Sequence, residues 1–128
     1  ADRILAKFNS KNYGRLSIIS SWKMDIEKII DISPNSFFPR PKIKSTLLVF
    51  KPKKKYYKLK NPKNLEHITN IFFNQRRKMI KKPLKFLFKN YEKVALELAL
   101  DLNLRPQNLT NNTYYKICSF YEKLLKQI

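Results

Sequence analysis

Thirty-nine residues, from Lys51 to Lys89, hold 14 lysines and arginines and a single acid, Glu66. They carry half of the 28 basic residues of a 128-residue chain that has only nine acids and a formal net charge of +19. Self-repulsion on this scale works against a compact fold, and a polyanionic partner is the usual compensation. Enough apolar material opposes it: 43% of residues are hydrophobic, and Phe, Tyr and Trp number nine, seven and one. A core is therefore expected rather than wholesale disorder. A solvated helix end with dipole compensation explains two or three cations, not 14. Nucleic acid is the first partner class for such a charge, and an anionic membrane surface the second.

Several function classes are excluded by what the residues lack. No apolar run approaches the ~20 residues of a membrane span. The opening "ADRILAKFNSKNYG" has neither the apolar stretch nor the cleavage site of a signal peptide. It also begins without Met, as a fragment or processed chain would. Gly14 is the one glycine, whereas phosphate-cradling and dinucleotide loops need several. Cys118 is the one cysteine, which excludes an internal disulfide and suits a reducing cytosol. It falls among Tyr114, Ile117 and Tyr121 in a helical pattern and reads as a small buried hydrophobe. With His67 as the only histidine, no structural metal site is expected. The carboxylates are scattered and mark no acid–base pair. Taken alone, the chain does not look like a complete enzyme.

The chain changes character near residue 50. "RLSIISSW" (15–22), "MDIEKIIDIS" (24–33) and "KSTLLVF" (44–50) read as three strands, with "ADRILAKF" as the tail of a helix. In the second, Ile26, Lys28, Ile30 and Ile32 alternate with Asp25, Glu27, Ile29 and Asp31, which predicts one buried face. A basic linker, "KPKKKYYKLKNPKN" (51–64), follows. The pattern then turns helical. Leu65, Ile68, Phe72 and Met79 share a stripe that Asn61 or Asn64 could cap. Pro83 suits the first turn of a second helix. Asn90 caps a third, lined by Tyr91, Val94, Ala95, Leu98 and Leu102. After "RPQNLT", Tyr114, Ile117, Tyr121, Leu124 and Ile128 mark a fourth. The fold class expected is α+β, with short antiparallel strands followed by a small all-helical domain. Among the rings of the basic stretch, helical spacing places Phe72 and Phe86 in the core; any exposed ring could stack on an unpaired base.

Between the second and third strands lies "SPNSFFPRPKIKS", stiffened by Pro34, Pro39 and Pro41. Phe37 and Phe38 stand on this loop beside Arg40 and Lys42. Either both rings anchor the loop in the core, or one of them is left free.

Three stretches, "NYGRLSIISSW", "SFFPRPKIKSTLLVFKP" and "FFNQRRKMIKKPLK", resemble in order and spacing the C-terminal part of ribosomal RNA adenine N6-dimethyltransferases. The likeness is greatest to the bacterial small-subunit branch. The family's Phe-x-Pro-x-Pro-Lys-(Val/Ile)-x-Ser motif is met by Phe37, Pro39, Pro41, Lys42, Ile43 and Ser45. Its Gln-Arg-Arg-Lys element is met by Gln75, Arg76, Arg77 and Lys78. Lys44 departs from the Asp or Asn common in the family and adds charge near the base pocket.

The resemblance implies a parent enzyme that uses S-adenosylmethionine to dimethylate adenines of small-subunit ribosomal RNA. Residues 1–50 would hold the last helix and strands of its Rossmann-like catalytic domain, 51–63 a basic linker, and 64–128 a helical RNA-docking domain. The cofactor site and the Asn-Leu-Pro-Tyr motif of the family are not in this sequence, so no cofactor and no activity are expected of this piece alone. Phe37 would pack against the flipped target adenine, which must be held out of the stack for its weakly nucleophilic amine to be aimed at the donor. Phe38 would be the core anchor. Arg40, Lys42, Gln75, Arg76, Arg77, Lys78, Lys81 and Lys82 would bind RNA, the cations at positions 76–82 by phosphate contacts that position rather than read. The partner would be small-subunit ribosomal RNA or the immature small subunit, in the cytoplasm and away from membranes. The alternative is a non-catalytic RNA- or ribosome-binding protein that kept this half of the fold. An unpaired strand edge would also let the piece self-associate through its first 50 residues.

Overall fold

The computed structural model describes residues 2–32 and 45–125. The proline loop, with Phe37, Phe38, Arg40, Lys42 and Lys44, lies outside them, as does Ile128. Within them the chain forms α1 (Asp2–Leu5), α2 (Arg15–Ser20), β1 (Met24–Ile32), β2 (Ser45–Pro52), α3 (Pro62–Phe73), α4 (Lys81–Leu87), α5 (Tyr91–Glu97), a 3-10 turn (Pro106–Asn108) and α6 (Asn111–Leu125). This is the α+β arrangement, with two strands rather than three among the described residues.

The missing strand is "RLSIIS", which is helical. Its β-branched residues suggest a strand, but burial decides otherwise: Tyr13, Ser17, Ile18 and Trp22 are covered, a helical spacing. Ser17 holds the turn in place, accepting from the Gly14 N–H (3.4 Å) and donating to the Arg3 carbonyl. The Ile18 carbonyl, left without a helical partner at the helix end, accepts from the Tyr115 hydroxyl at 2.6 Å.

β1 and β2 pair antiparallel, Met24 opposite Pro52 and Ile32 opposite Ser45, with a register shift between Lys28 and Ile30. That bulge overturns the expected alternation. It places Ile29 and Ile30 side by side on the surface, 54% and 52% exposed, so no continuous face of β1 is buried. Leu47 and Phe50 on β2 are exposed as well.

The core lies among the helices. Pro62 opens α3 and the Asn61 side chain accepts from the Lys63 N–H (3.0 Å), a side-chain cap of one orphan donor. Leu65, Ile68 and Phe72 then form its buried stripe. The stripe stops there: α3 ends at Phe73, and Met79 is exposed in the turn that follows. Phe72 meets Tyr114 of α6 edge-on at 5.5 Å. Each such fully buried ring or leucine contributes roughly 1.5–3 kcal/mol. Tyr13, Ile18 and Trp22 belong to this same cluster, so the N-terminal helices and the C-terminal ones share one core. α5 closes earlier than its apolar pattern suggests, because Ala99 adopts a left-handed φ of 53°. The Thr110 hydroxyl accepts from the Thr113 N–H (3.3 Å) at the start of α6.

Candidate nucleic-acid interface

Residues 74–80 connect α3 to α4 as a tight turn, and they contain the Gln-Arg-Arg-Lys run. Three separate attachments make this turn stiff. Ile80 is fully buried and its N–H donates to the Leu104 carbonyl at 2.8 Å. The Arg77 carbonyl accepts from Arg105 Nε at 2.9 Å. Arg76 Nη2 donates to the carbonyls of Lys11 (2.6 Å) and Ser10 (3.3 Å), while its guanidinium lies 5.9 Å from the centre of the Phe73 ring.

Within the expected set the roles therefore divide. Arg76 is half-buried and already bonded to the 10–11 segment. Gln75, Arg77, Lys78, Lys81 and Lys82 are exposed, the last two on the first turn of α4. None of the four exposed cations has a carboxylate of the described residues in ion-pair range; Lys28 and Asp31, 2.7 Å apart, pair on the hairpin instead. Uncompensated cations on a braced turn can bind phosphates with little loss of conformational freedom. Arg40, Lys42 and Phe37 fall outside the described residues. Arg105 was not anticipated; "RPQNLT" reads as a break in the helical pattern and, with the aromatic-bearing helix after it, as a likeness to the family's tail, and nothing local ties it to residue 77.

The rings of the basic stretch also divide. Phe72 and Phe88 are core, but Phe86 is 76% exposed on α4, against the expectation from spacing. α4 is only seven residues long, and its covered side is filled by Pro83 and Leu84.

Gly14 has an ordinary extended backbone, and a Cβ there would make only an ordinary contact with the Arg76 side chain, at 3.8 Å. Cys118 is buried, and burial followed by the nearby Glu122 charge pushes its thiol up to about 12, so it is no nucleophile. Among the described residues no group of three His, Cys, Asp or Glu could hold a metal, and no helix is long and apolar enough to cross a membrane.

Comparison with known proteins gives the chain a family. The family model for ribosomal RNA adenine dimethylase matches residues 1–123. "Ribosomal RNA small subunit methyltransferase A" of Pelagibacter ubique is 60% identical over 124 residues, which are 97% of this chain and 47% of that protein. The protein of the same name from a Wolbachia of Drosophila simulans is 43% identical over 110 residues, 86% of this chain and 40% of its own. The chain thus spans about half the length of the curated relatives it matches. In fold it is similar to a dimethyladenosine transferase from Plasmodium falciparum (TM-score 0.75, 22% identity, 95% of this chain and 53% of that one). It is also similar to the 23S rRNA methyltransferase ErmE (TM-score 0.59, 12% identity, covering 86% of this chain and 46% of that one). A match over 123 of 128 residues, with the Gln-Arg-Arg-Lys turn inside it, places the chain in the ribosomal RNA adenine dimethylase family.

Proposed function

We propose that this chain is the C-terminal part of an S-adenosylmethionine-dependent enzyme that dimethylates adenines of small-subunit ribosomal RNA in the cytoplasm. Its own share of the work is to dock that RNA. The reading is carried by one observation: Arg77 and Lys78 on a turn attached at three points, and Lys81 and Lys82 on the first turn of α4 that follows it, are exposed and lack carboxylate partners among the described residues. Phosphates held there set the position of the RNA without reading its sequence. Arg76 fixes the turn that presents Arg77 and Lys78 and leads into α4 with Lys81 and Lys82. Arg40 and Lys42 extend the docking surface, and Phe37 packs against the target adenine as one wall of its pocket. The methyl donor is assigned to the half of the longer relatives that this chain does not span. The piece alone binds RNA and transfers no methyl group.

The test is a combined Arg77→Ala, Lys78→Ala, Lys81→Ala, Lys82→Ala variant. Each phosphate contact contributes ~0.7–0.9 to the slope of log affinity against log salt, so the slope should fall by about 3. The loss should be similar across RNA sequences. An unchanged slope, or a loss confined to one sequence, overturns the docking role.

A second partner is another copy of the chain. Ile29, Ile30, Leu47 and Phe50 are exposed on a two-stranded sheet, and each strand has one unpaired edge among the described residues. Self-association through this hairpin is expected at high concentration, and a monomer mass by light scattering there would refute it.

A further inference from the structure

Away from the basic turn, a cavity of about 480 Å³ opens where the end of β2 leads toward α3. Small-molecule sites have this size. Its floor is core: Trp22 and Tyr115 are nearly covered. Tyr57 forms one wall, held by its carbonyl, which accepts from Trp22 Nε1 at 2.5 Å, and by its ring, 6.4 Å from Tyr115. Tyr56 forms the other, edge-on to Trp22 at 6.3 Å and 43% exposed. The Lys23 ammonium lies 4.7 Å from the Trp22 ring centre and 5.4 Å from that of Tyr56, so both rings are held against a cation.

The rim is basic. Lys53, Lys55 and Lys58 line it, and no acid does. Lys53 is engaged, its Nζ donating to the Ser21 carbonyl at 2.5 Å. Lys55 and Lys58 are exposed and outside ion-pair range of the described carboxylates. Trp22 is nearly covered, whereas Tyr56 and Tyr57 leave 43% and 39% of their surface exposed among these lysines, and Tyr57 is the one tied down through its carbonyl and its ring contact with Tyr115.

We infer that this pocket is a second RNA site, taking one unpaired nucleotide: its base stacks on Tyr56 and its flanking phosphates meet Lys55 and Lys58. A paired duplex offers phosphates but no free base face, whereas an unpaired base offers both. The inference rests on the RNA-docking reading above and adds a preference for unpaired nucleotides at a named ring.

The test uses two RNA hairpins of equal length and charge, one fully paired and one with an internal run of unpaired nucleotides. Both are titrated against the 128-residue chain and its Tyr56→Ala and Tyr56→Phe variants, whose folding is checked by circular dichroism. Stacking one base is lost in Tyr56→Ala, so affinity for the unpaired RNA should fall about 5- to 150-fold. The paired RNA should be held within about twofold, and Tyr56→Phe should keep the preference. Trp22 is the chain's one tryptophan, so its emission should change with the unpaired RNA and not with the paired one. Equal losses on both RNAs, or none on the unpaired RNA, overturn the second site while leaving docking intact. If the wild-type chain binds neither RNA, the docking reading falls and this site with it.

Discussion

Glu122 of α6 is only 5% exposed, and among the described residues it is held chiefly by hydrogen bonds, with the Lys60 charge a smaller contribution. Its carboxylate accepts from the Lys60 N–H (2.9 and 3.0 Å to its two oxygens), the Asn61 N–H (3.0 Å) and Asn64 Nδ2 (2.7 Å). These donors surround the start of α3, whose far end carries the basic turn. A residue 58 to 62 positions away thus caps α3 and fixes it against α6. Hydrogen bonds to a charged acceptor contribute ~1.5–3 kcal/mol each, but desolvation of the carboxylate offsets part of this, and water can reach Lys60 and Asn61 once Glu122 is gone. Glu122→Ala should therefore cost about 3 kcal/mol. With a urea slope of ~1.5 kcal/mol/M, the unfolding midpoint should drop by ~2 M. Glu122→Gln keeps the size and can leave its amide oxygen facing Asn61 and Asn64, but its NH2 then meets the Lys60 N–H and the charge is gone, so about 1–2 kcal/mol should still be lost. Burial pushes the Glu122 carboxyl up, and the Lys60 N–H, the Asn64 amide and the Asn61 N–H outweigh it, leaving the group below its ordinary value. Its stabilisation is then complete above the unfolded value, ~4.3, and is lost as pH falls through the folded one. Urea melts of wild type should weaken below about pH 4.5, and Glu122→Gln should lack that part of the decline. A midpoint change in either variant under about 0.3 M would refute the cap.

Arg76→Ala should destabilise the chain by ~1–2 kcal/mol, since it removes the bonds to the Ser10 and Lys11 carbonyls and the contact with Phe73. Arg77→Ala should change stability by less than ~0.5 kcal/mol while lowering the salt slope of RNA binding by ~0.7–0.9; urea melts showing the reverse order would refute the division of roles. Ala99→Gly should stabilise, because the left-handed φ of 53° costs an L-residue ~1–2 kcal/mol, more than glycine's unfolded-state entropy of ~0.5–1 kcal/mol. A gain of ~2–4 °C in Tm is expected, and a fall would show that the Ala99 methyl makes contacts worth more than the strain.

The helical half was largely legible because its buried residues recur at helical spacing in the sequence itself. Leu65, Ile68, Phe72, Val94, Ala95, Tyr114 and Ile117 are all buried where that spacing placed them. The failures came where a neighbour outside the window decided. "RLSIIS" has strand-like residues, but the core that covers Ile18 is built from α3 and α6. β1 alternates well on paper, and one bulge opposite β2 undoes the alternation. Phe86 fits a helical stripe in a helix too short to have a second covered row. Of the site, the exposed cations could be read from charge density, and the family resemblance singled out the turn. That Arg76 is a brace could not, since its partners lie 65 and 66 residues away. Nor could Glu122, which looks like any acid on an amphipathic helix until the start of α3 is seen beside it.

The most direct test of RNA docking is filter binding of the 128-residue chain to small-subunit ribosomal RNA and to an unrelated structured RNA between ~50 and ~200 mM salt, where several phosphate contacts should cost ~10³-fold or more. The account predicts that steep dependence on both RNAs, with any preference for the ribosomal RNA showing that this half also carries substrate recognition. Equal binding to both RNAs would put specificity outside this half of the family's fold, and shallow salt dependence would contradict docking through phosphate contacts.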